Sequence, residues 1–412
     1  IQSTIMRQFL LISLSTVVNV AAWSCDDTNA TTKLSLKSLS SYSQAICNDG
    51  TAAAYYYIKG RSDLYLIYLS GGGQCWDLDS CTKRYNGSAY PYHDCDSSSA
   101  DSPCFMSSKD YQDTCNKTGI FSSDTKLNPL ASATKVYIPY CTSDAYAGDA
   151  SFGGWEFRGG AVVDAVLSDV TSFLDLGSKA STKLVFGGGS AGGRGAMLWL
   201  DRVRDRFSTN SNISVLGFLD SPYYLDIEPY DTNDFVGFPS LTRLADQNFN
   251  TSNIVLTGSG KCSDVLFQAP WKCALGQYAA SHIGTYRTNT TTPFVLIASQ
   301  FDGWQLSNSV LGYNGIASDP NFDDDQLEYV VAFGKSTKAS LSATVPGRLV
   351  DSSMVSIFSP ACYSHHVSEK YNFWTDQTLD GASQSTTLAA FLLNNTASIH
   401  IDDCDGYECG AC

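Results

Sequence analysis

Basic clusters interleaved with aromatic residues are missing from this chain, which argues against a nucleic-acid surface. The formal charge of −15, from 41 acidic and 26 basic residues, points the same way, because such a surface repels polyanions and anionic membranes on average. Beyond residue 22 no apolar run is long enough to cross a bilayer, which takes roughly 20 residues, so no stable membrane insertion is expected. H-E-x-x-H is absent and the many aspartates lack companion histidines, so neither a metal nor another cofactor is expected. The acidic run Asp323-Asp324-Asp325 lacks the spaced ligands of a calcium loop and reads as a solvated turn. Histidine itself is scarce: His93, His282, His365, His366 and His400 are all there are. Any imidazole chemistry must be drawn from these five.

What the chain does have suits an exported protein. Met6-Arg7-Gln8 leads into an apolar run, so residues 6–22 read as a secretory signal peptide cleaved near Ala21 or Ala22. A retained anchor is the rival, but the run is short and broken by Ser and Asn. The 14 cysteines permit seven disulfides without fixing their pairing. Zinc is the alternative for the close pairs Cys75/Cys81 and Cys409/Cys412. Acceptor sequons at Asn29, Asn86, Asn116, Asn212, Asn250, Asn289 and Asn394 favour the oxidised, glycosylated, extracellular reading.

A chain of 412 residues with 43% hydrophobic content can build a sizeable core. Strand character appears at 64–69, 136–140, 183–186, 215–219 and 294–299, with helical patterns at 161–174 and 194–207. Polar residues gather just past several strand ends. This alternation predicts a mostly parallel open α/β sheet with helices on both faces and the site at its carboxyl edge. Residues 74–123, rich in Cys, Asp and Ser, read as a disulfide-rich surface excursion. No internal repeat or linker divides the chain, so 23–412 is read as a single catalytic domain.

Gly188-Gly189-Ser190-Ala191-Gly192 fits G-x-S-x-G between a strand and a helix, the pattern of a nucleophile elbow. A phosphate-cradling turn is the rival, but no Lys follows the glycines. A serine hydroxyl needs an imidazole to take its proton and a carboxylate to orient that imidazole. His365 and His366 lie late in the chain, where a base would fall in an α/β-hydrolase, and one of the two is expected to be a surface group. Asp302 and Asp220 both follow strands, and spacing alone leaves the choice between them open. Gly71-Gly72-Gly73 also follows a strand and suits an oxyanion loop, with Ala191 supplying a further N–H.

Several ordered motifs carry a family resemblance. They are Leu69-Ser70-Gly71-Gly72-Gly73-Gln74-Cys75-Trp76, Tyr140-Cys141-Thr142-Ser143-Asp144, Gly187-Gly188-Gly189-Ser190-Ala191-Gly192-Gly193, Asp220-Ser221, Trp271-Lys272-Cys273, Phe301-Asp302-Gly303-Trp304-Gln305-Leu306 and Cys362-Tyr363-Ser364-His365. In these the chain resembles the pectin acetylesterase/Notum family of secreted carboxylesterases. The resemblance implies an α/β-hydrolase-like fold and metal-free ester hydrolysis, with Ser190 as nucleophile, Asp302 as acid and His365 as base. It also implies oxyanion donors at Gly72, Gly73 and Ala191. The chain departs from the family at Ser70, where Glu is common, and at Gln74, where Trp is common.

Two substrates follow from the resemblance: an acetylated, pectin-like polysaccharide, which is favoured, or a fatty-acylated secreted protein. An inactive secreted binding module on the same scaffold is the reading from another class, and a protease of the same fold is a further one. Aromatic candidates for substrate contact are Trp76, Tyr146, Trp155, Tyr223, Tyr224 and Trp304.

Overall fold

The computed structural model describes residues 25, 29–86, 105–209, 212–230, 235–256, 262, 266–283, 292–312, 315–318, 320–344 and 354–407. The signal-peptide reading for 6–22, His93, the sequon Asn289 and cysteines 95, 104, 409 and 412 lie outside them.

Among the described residues, fourteen strands run β1 (Thr32–Ser38), β2 (Ala54–Ile58), β3 (Arg61–Leu69), β4 (Thr114–Lys117), β5 (Ala133–Ile138), β6 (Ala150–Phe152) and β7 (Trp155–Phe157). They continue with β8 (Thr182–Gly189), β9 (Ile213–Asp220), β10 (Phe294–Ile297), β11 (Phe301–Asp302), β12 (Val355–Ser359), β13 (Tyr363–Ser364) and β14 (Ile399–Ile401). Ten form one sheet in the order β14-β12-β10-β9-β8-β3-β5-β2-β1-β4. From β14 to β5 all neighbours are parallel; β2, β1 and β4 extend that edge antiparallel.

Why the parallel part is buried on both faces is visible in β3. Tyr65, Ile67 and Leu69 point to one core, and Leu64, Leu66 and Tyr68 to the other. A strand covered on both sides carries apolar residues without alternation. Helices Gly159–Phe173 and Ala191–Phe207 cover the first face through Val162, Val166, Leu200 and Val203. Helix Gln384–Asn394 covers the second through Leu388, Phe391 and Leu392. This is the expected α/β-hydrolase-like layering.

The 74–123 segment is only partly an excursion. Its start forms the helix Leu78–Tyr85, stapled by Cys75–Cys81, so zinc is not the partner of that pair. Its end returns to the main sheet as β4, paired with β1 and tied by Cys115 to Cys25. Cys47–Cys141 and Cys262–Cys273 complete the described pairs, and Cys362 and Cys404 are disulfide-bonded as well. Asp323 does more than decorate a turn: its Oδ1 accepts the Gln326 N–H at 2.9 Å at the start of helix Asp324–Thr344. Among the described residues no helix is long and apolar enough to span a membrane.

Candidate active site

β8 runs between β3 and β9 and ends on three glycines. Ser190 follows at φ 54° and ψ −121°, a backbone setting that costs a non-glycine residue about 1–3 kcal/mol. The turn is over-determined by what surrounds it. Ser190 N–H donates to the Asp220 carbonyl at 2.9 Å, and helix Ala191–Phe207 starts at once. A Cβ at Gly188 would lie 2.4 Å from the Gly192 carbonyl oxygen, and one at Gly192 only 2.0 Å from that of Leu69. Only glycine fits either position.

β10 and β12 are parallel neighbours, and beyond their ends the chain pairs again in miniature. Phe301 pairs with Tyr363 and Asp302 with Ser364, which sets Asp302 beside His365. His365 Nδ1 lies 2.7 Å from Asp302 Oδ2, and its Nε2 lies 2.7 Å from Ser190 Oγ. A carboxylate only accepts, so Nδ1 carries the proton and Nε2 is left to accept the serine hydroxyl. Asp302 Oδ1 meanwhile accepts the Gln305 N–H at 2.9 Å, capping helix Gly303–Leu311. Ser190, Asp302 and His365 are 5%, 4% and 4% exposed. The Trp304 ring stacks on the imidazole at 6.0 Å, and Tyr224 meets it edge-on at 6.5 Å.

Asp220, the rival carboxylate, is engaged elsewhere: Oδ2 accepts the Val367 and Ser368 N–H groups, and Oδ1 the Ser221 hydroxyl. His366 corrects a sequence expectation, because it is not a surface group. Its Nε2 lies 2.9 Å from Glu369 Oε1 and 3.3 Å from the Tyr68 hydroxyl, and Glu369 Oε2 in turn pairs with Lys117 at 2.8 Å. The ring fills space that a Cβ on Gly189 would need.

Gly72 and Gly73, at φ 144° and 68°, continue from β3. No loop carbonyl among the described residues accepts their N–H groups, and Ala191, as the first helical residue, has an N–H without an intrahelical acceptor. Gly73 and Ala191 open onto a cleft.

The aromatic candidates divide. Trp76, Tyr224 and Trp304 line that cleft. Tyr146, Trp155 and Tyr223 lie outside its lining. Tyr146 is wholly buried, stacked on Tyr140 with its hydroxyl donating to the Ile138 carbonyl. Trp155 packs on Tyr85, and the Tyr223 hydroxyl meets Ser340 Oγ at 2.8 Å. Gln74 also lines the cleft, and Phe235, Phe238, Leu241, Thr242, Asn308 and Arg194 complete the wall without having been singled out. Arg194 did leave a signal: it stands four residues after Ser190, on the same helical face. Burial pushes the Tyr224 hydroxyl pKa up, reinforced by the Asp302 charge and countered by Arg194.

A family model described as pectinacetylesterase matches residues 26–412. Palmitoleoyl-protein carboxylesterase notum1a of Danio rerio is 28% identical over 349 residues, covering 82% of this chain and 61% of its own. Its Homo sapiens counterpart is likewise 28% identical, with 82% and 62% covered. The chain thus spans about three fifths of the length of these curated relatives. Among solved structures, the Wnt deacylase Notum from Drosophila superposes with a TM-score of 0.75 at 25% identity, covering 92% of this chain and 99% of that one.

Proposed function

The chain belongs to the pectinacetylesterase family, and on that premise we propose that it is a secreted serine carboxylesterase removing O-acetyl groups from a pectin-like polysaccharide. The observation that carries this reading is the pair of 2.7 Å hydrogen bonds linking Ser190, His365 and Asp302 beside an open cleft. Ser190 Oγ attacks the ester carbon while His365 Nε2 accepts its proton. Asp302 holds the Nδ1–H tautomer and stabilises the imidazolium. The N–H groups of Gly72, Gly73 and Ala191 take the oxyanion, a contribution of about 2.7–4 kcal/mol per donor in comparable sites. His365 then returns the proton to the departing alcohol, and water releases the acid from Ser190 by the same route.

Disulfides and the Asn sequons support export, and residues 23–412 act as one catalytic domain. The names of the relatives favour a second reading, removal of a fatty acyl group from a secreted protein. The cleft wall is mixed: Trp76, Tyr224, Phe235, Phe238, Leu241 and Trp304 suit an alkyl chain, whereas Gln74, Arg194, Thr242 and Asn308 break that apolar surface with polar groups, which suits a short acyl group beside a sugar.

Hydrolysis of 4-nitrophenyl esters from acetate to palmitate, by wild type and S190A, tests the reading. Activity confined to acetate and propionate and lost in S190A is expected. A maximum at octanoate or beyond would transfer the assignment to the fatty-acyl reading. No turnover and no serine labelling by an organophosphonate would leave the inert-module reading standing.

A further inference from the structure

Arg194 is 6% exposed, yet it lies in the wall of the cleft that contains Gly73 and Ala191. Its main-chain N–H donates to the Ser190 carbonyl, so it sits one helical turn, about 6 Å, along the helix from the nucleophile. Its side-chain acceptors are all neutral. Nε donates to the Ala274 carbonyl at 3.2 Å, Nη1 to Gln74 Oε1 at 2.9 Å and Nη2 to Thr242 Oγ1 at 3.2 Å. The Tyr224 ring lies 4.9 Å from the guanidinium carbon. Arg61, Arg158, Arg202, Arg204 and Arg206 each pair with a carboxylate at or near the surface; Arg194, more buried than any of them, has none among the described residues.

Taking an ion out of water costs several kcal/mol, and neutral acceptors offset only part of that. A guanidinium has five N–H donors, of which three are spent here, leaving one on each terminal nitrogen. The three bonds come from the oxyanion loop, from helix Phe238–Phe249 and from the 3-10 turn Pro270–Ala274. The fork is therefore held still before any ligand arrives, which lowers the ordering cost of binding.

We propose that Arg194 is an anion receptor in the ester-binding cleft, selecting substrates that carry a carboxylate close to the scissile ester. This deepens the esterase reading and rests on it. The protein's net charge of −15 repels such a substrate at a distance. That repulsion is screened beyond about 8 Å in physiological salt, whereas a desolvated cation acts at contact, where the dielectric is low. The carboxylate belongs either to the acyl half, as in a dicarboxylic hemiester, or to the alcohol half, as in a uronate sugar.

The test measures kcat/KM for wild type, R194Q and R194K on two matched pairs of esters. One pair is 4-nitrophenyl hemimalonate against 4-nitrophenyl propionate; the other is O-acetylated oligogalacturonide against O-acetylated oligogalactoside. The expected result is a charged-over-neutral ratio that falls tenfold or more in R194Q within one pair and recovers in part in R194K. The pair affected locates the carboxylate. Equal losses on charged and neutral members would make Arg194 a structural staple and overturn the proposal, as would a wild type without preference for either charged member. Should no ester be turned over, the esterase reading fails and calorimetry decides the receptor separately. Binding of trigalacturonate or malonate to S190A that vanishes in S190A/R194Q supports it, and no binding to S190A overturns it.

Discussion

Asp220 holds Ser368: its Oδ2 accepts the Ser368 N–H at 2.8 Å, together with the neighbouring Val367 N–H at 2.9 Å. The Asp220 carbonyl meanwhile accepts the Ser190 N–H. One residue at the end of β9 therefore ties the serine turn to the loop bearing His365. D220A leaves two buried N–H groups unpaired at a cost of about 1–3 kcal/mol each. Denaturant unfolding should show a loss of that order, and ester hydrolysis should fall in kcat more than it rises in KM.

The two adjacent histidines should separate cleanly. H365A removes the group hydrogen-bonded to Ser190 and should lower kcat by about 10³-fold or more. H366A removes a ring that faces Glu369 and Tyr68, and its main effect should be on stability, read by thermal unfolding. Equal rate losses in both variants would refute the assignment of the base.

G192A places a methyl group 2.0 Å from the Leu69 carbonyl oxygen, which is main chain in a central strand and cannot step aside. The expected cost is on the order of 2–4 kcal/mol with a matching loss of activity, measured by chemical denaturation and ester hydrolysis. G160A, at another helical glycine whose Cβ would come no nearer than 3.4 Å to the Gly148 carbonyl oxygen, controls for a methyl group added to a helix without a main-chain clash.

Acid should act through Glu369. Burial pushes its carboxyl pKa up, but the Lys117 charge and the His366 hydrogen bond outweigh this and hold it at about 2, against 4.5 for the free group. A depressed carboxyl contributes stability that is present above the unfolded-state value and lost as pH falls through the folded one. Wild-type stability should therefore drop between about pH 4.5 and pH 2, by on the order of 2–3 kcal/mol. E369Q should be less stable at neutral pH, with Lys117 left unpaired, and should lack this acid slope. Melting curves across pH 2–7 decide it.

The parallel half of the sheet is legible in the sequence because strands buried on both faces read as apolar runs; residues 64–69 are all buried in β3. β1 carries its buried residues in alternation, as Leu34 and its neighbours show, and β4 is only four residues long, so the antiparallel edge gives no such run. The glycines around Ser190 are legible because sterics demand them. The task of His366 is not, since its partner Glu369 is set by Lys117 from β4, far away in sequence. Aromatic residues near a motif carry no direction either: Tyr146 and Tyr224 look alike in sequence, yet one is packed beneath the sheet's ends and the other faces the cleft.

Ser190 and His365 are separated by 175 residues, and Asp302 and His365 by 63. At a synthesis rate of about 5–20 residues per second, the serine leaves the ribosome roughly 10–35 seconds before its imidazole exists. A hydrogen-bonded set built this way is complete only once the last parallel strands have docked, and until then the serine turn stands without its imidazole.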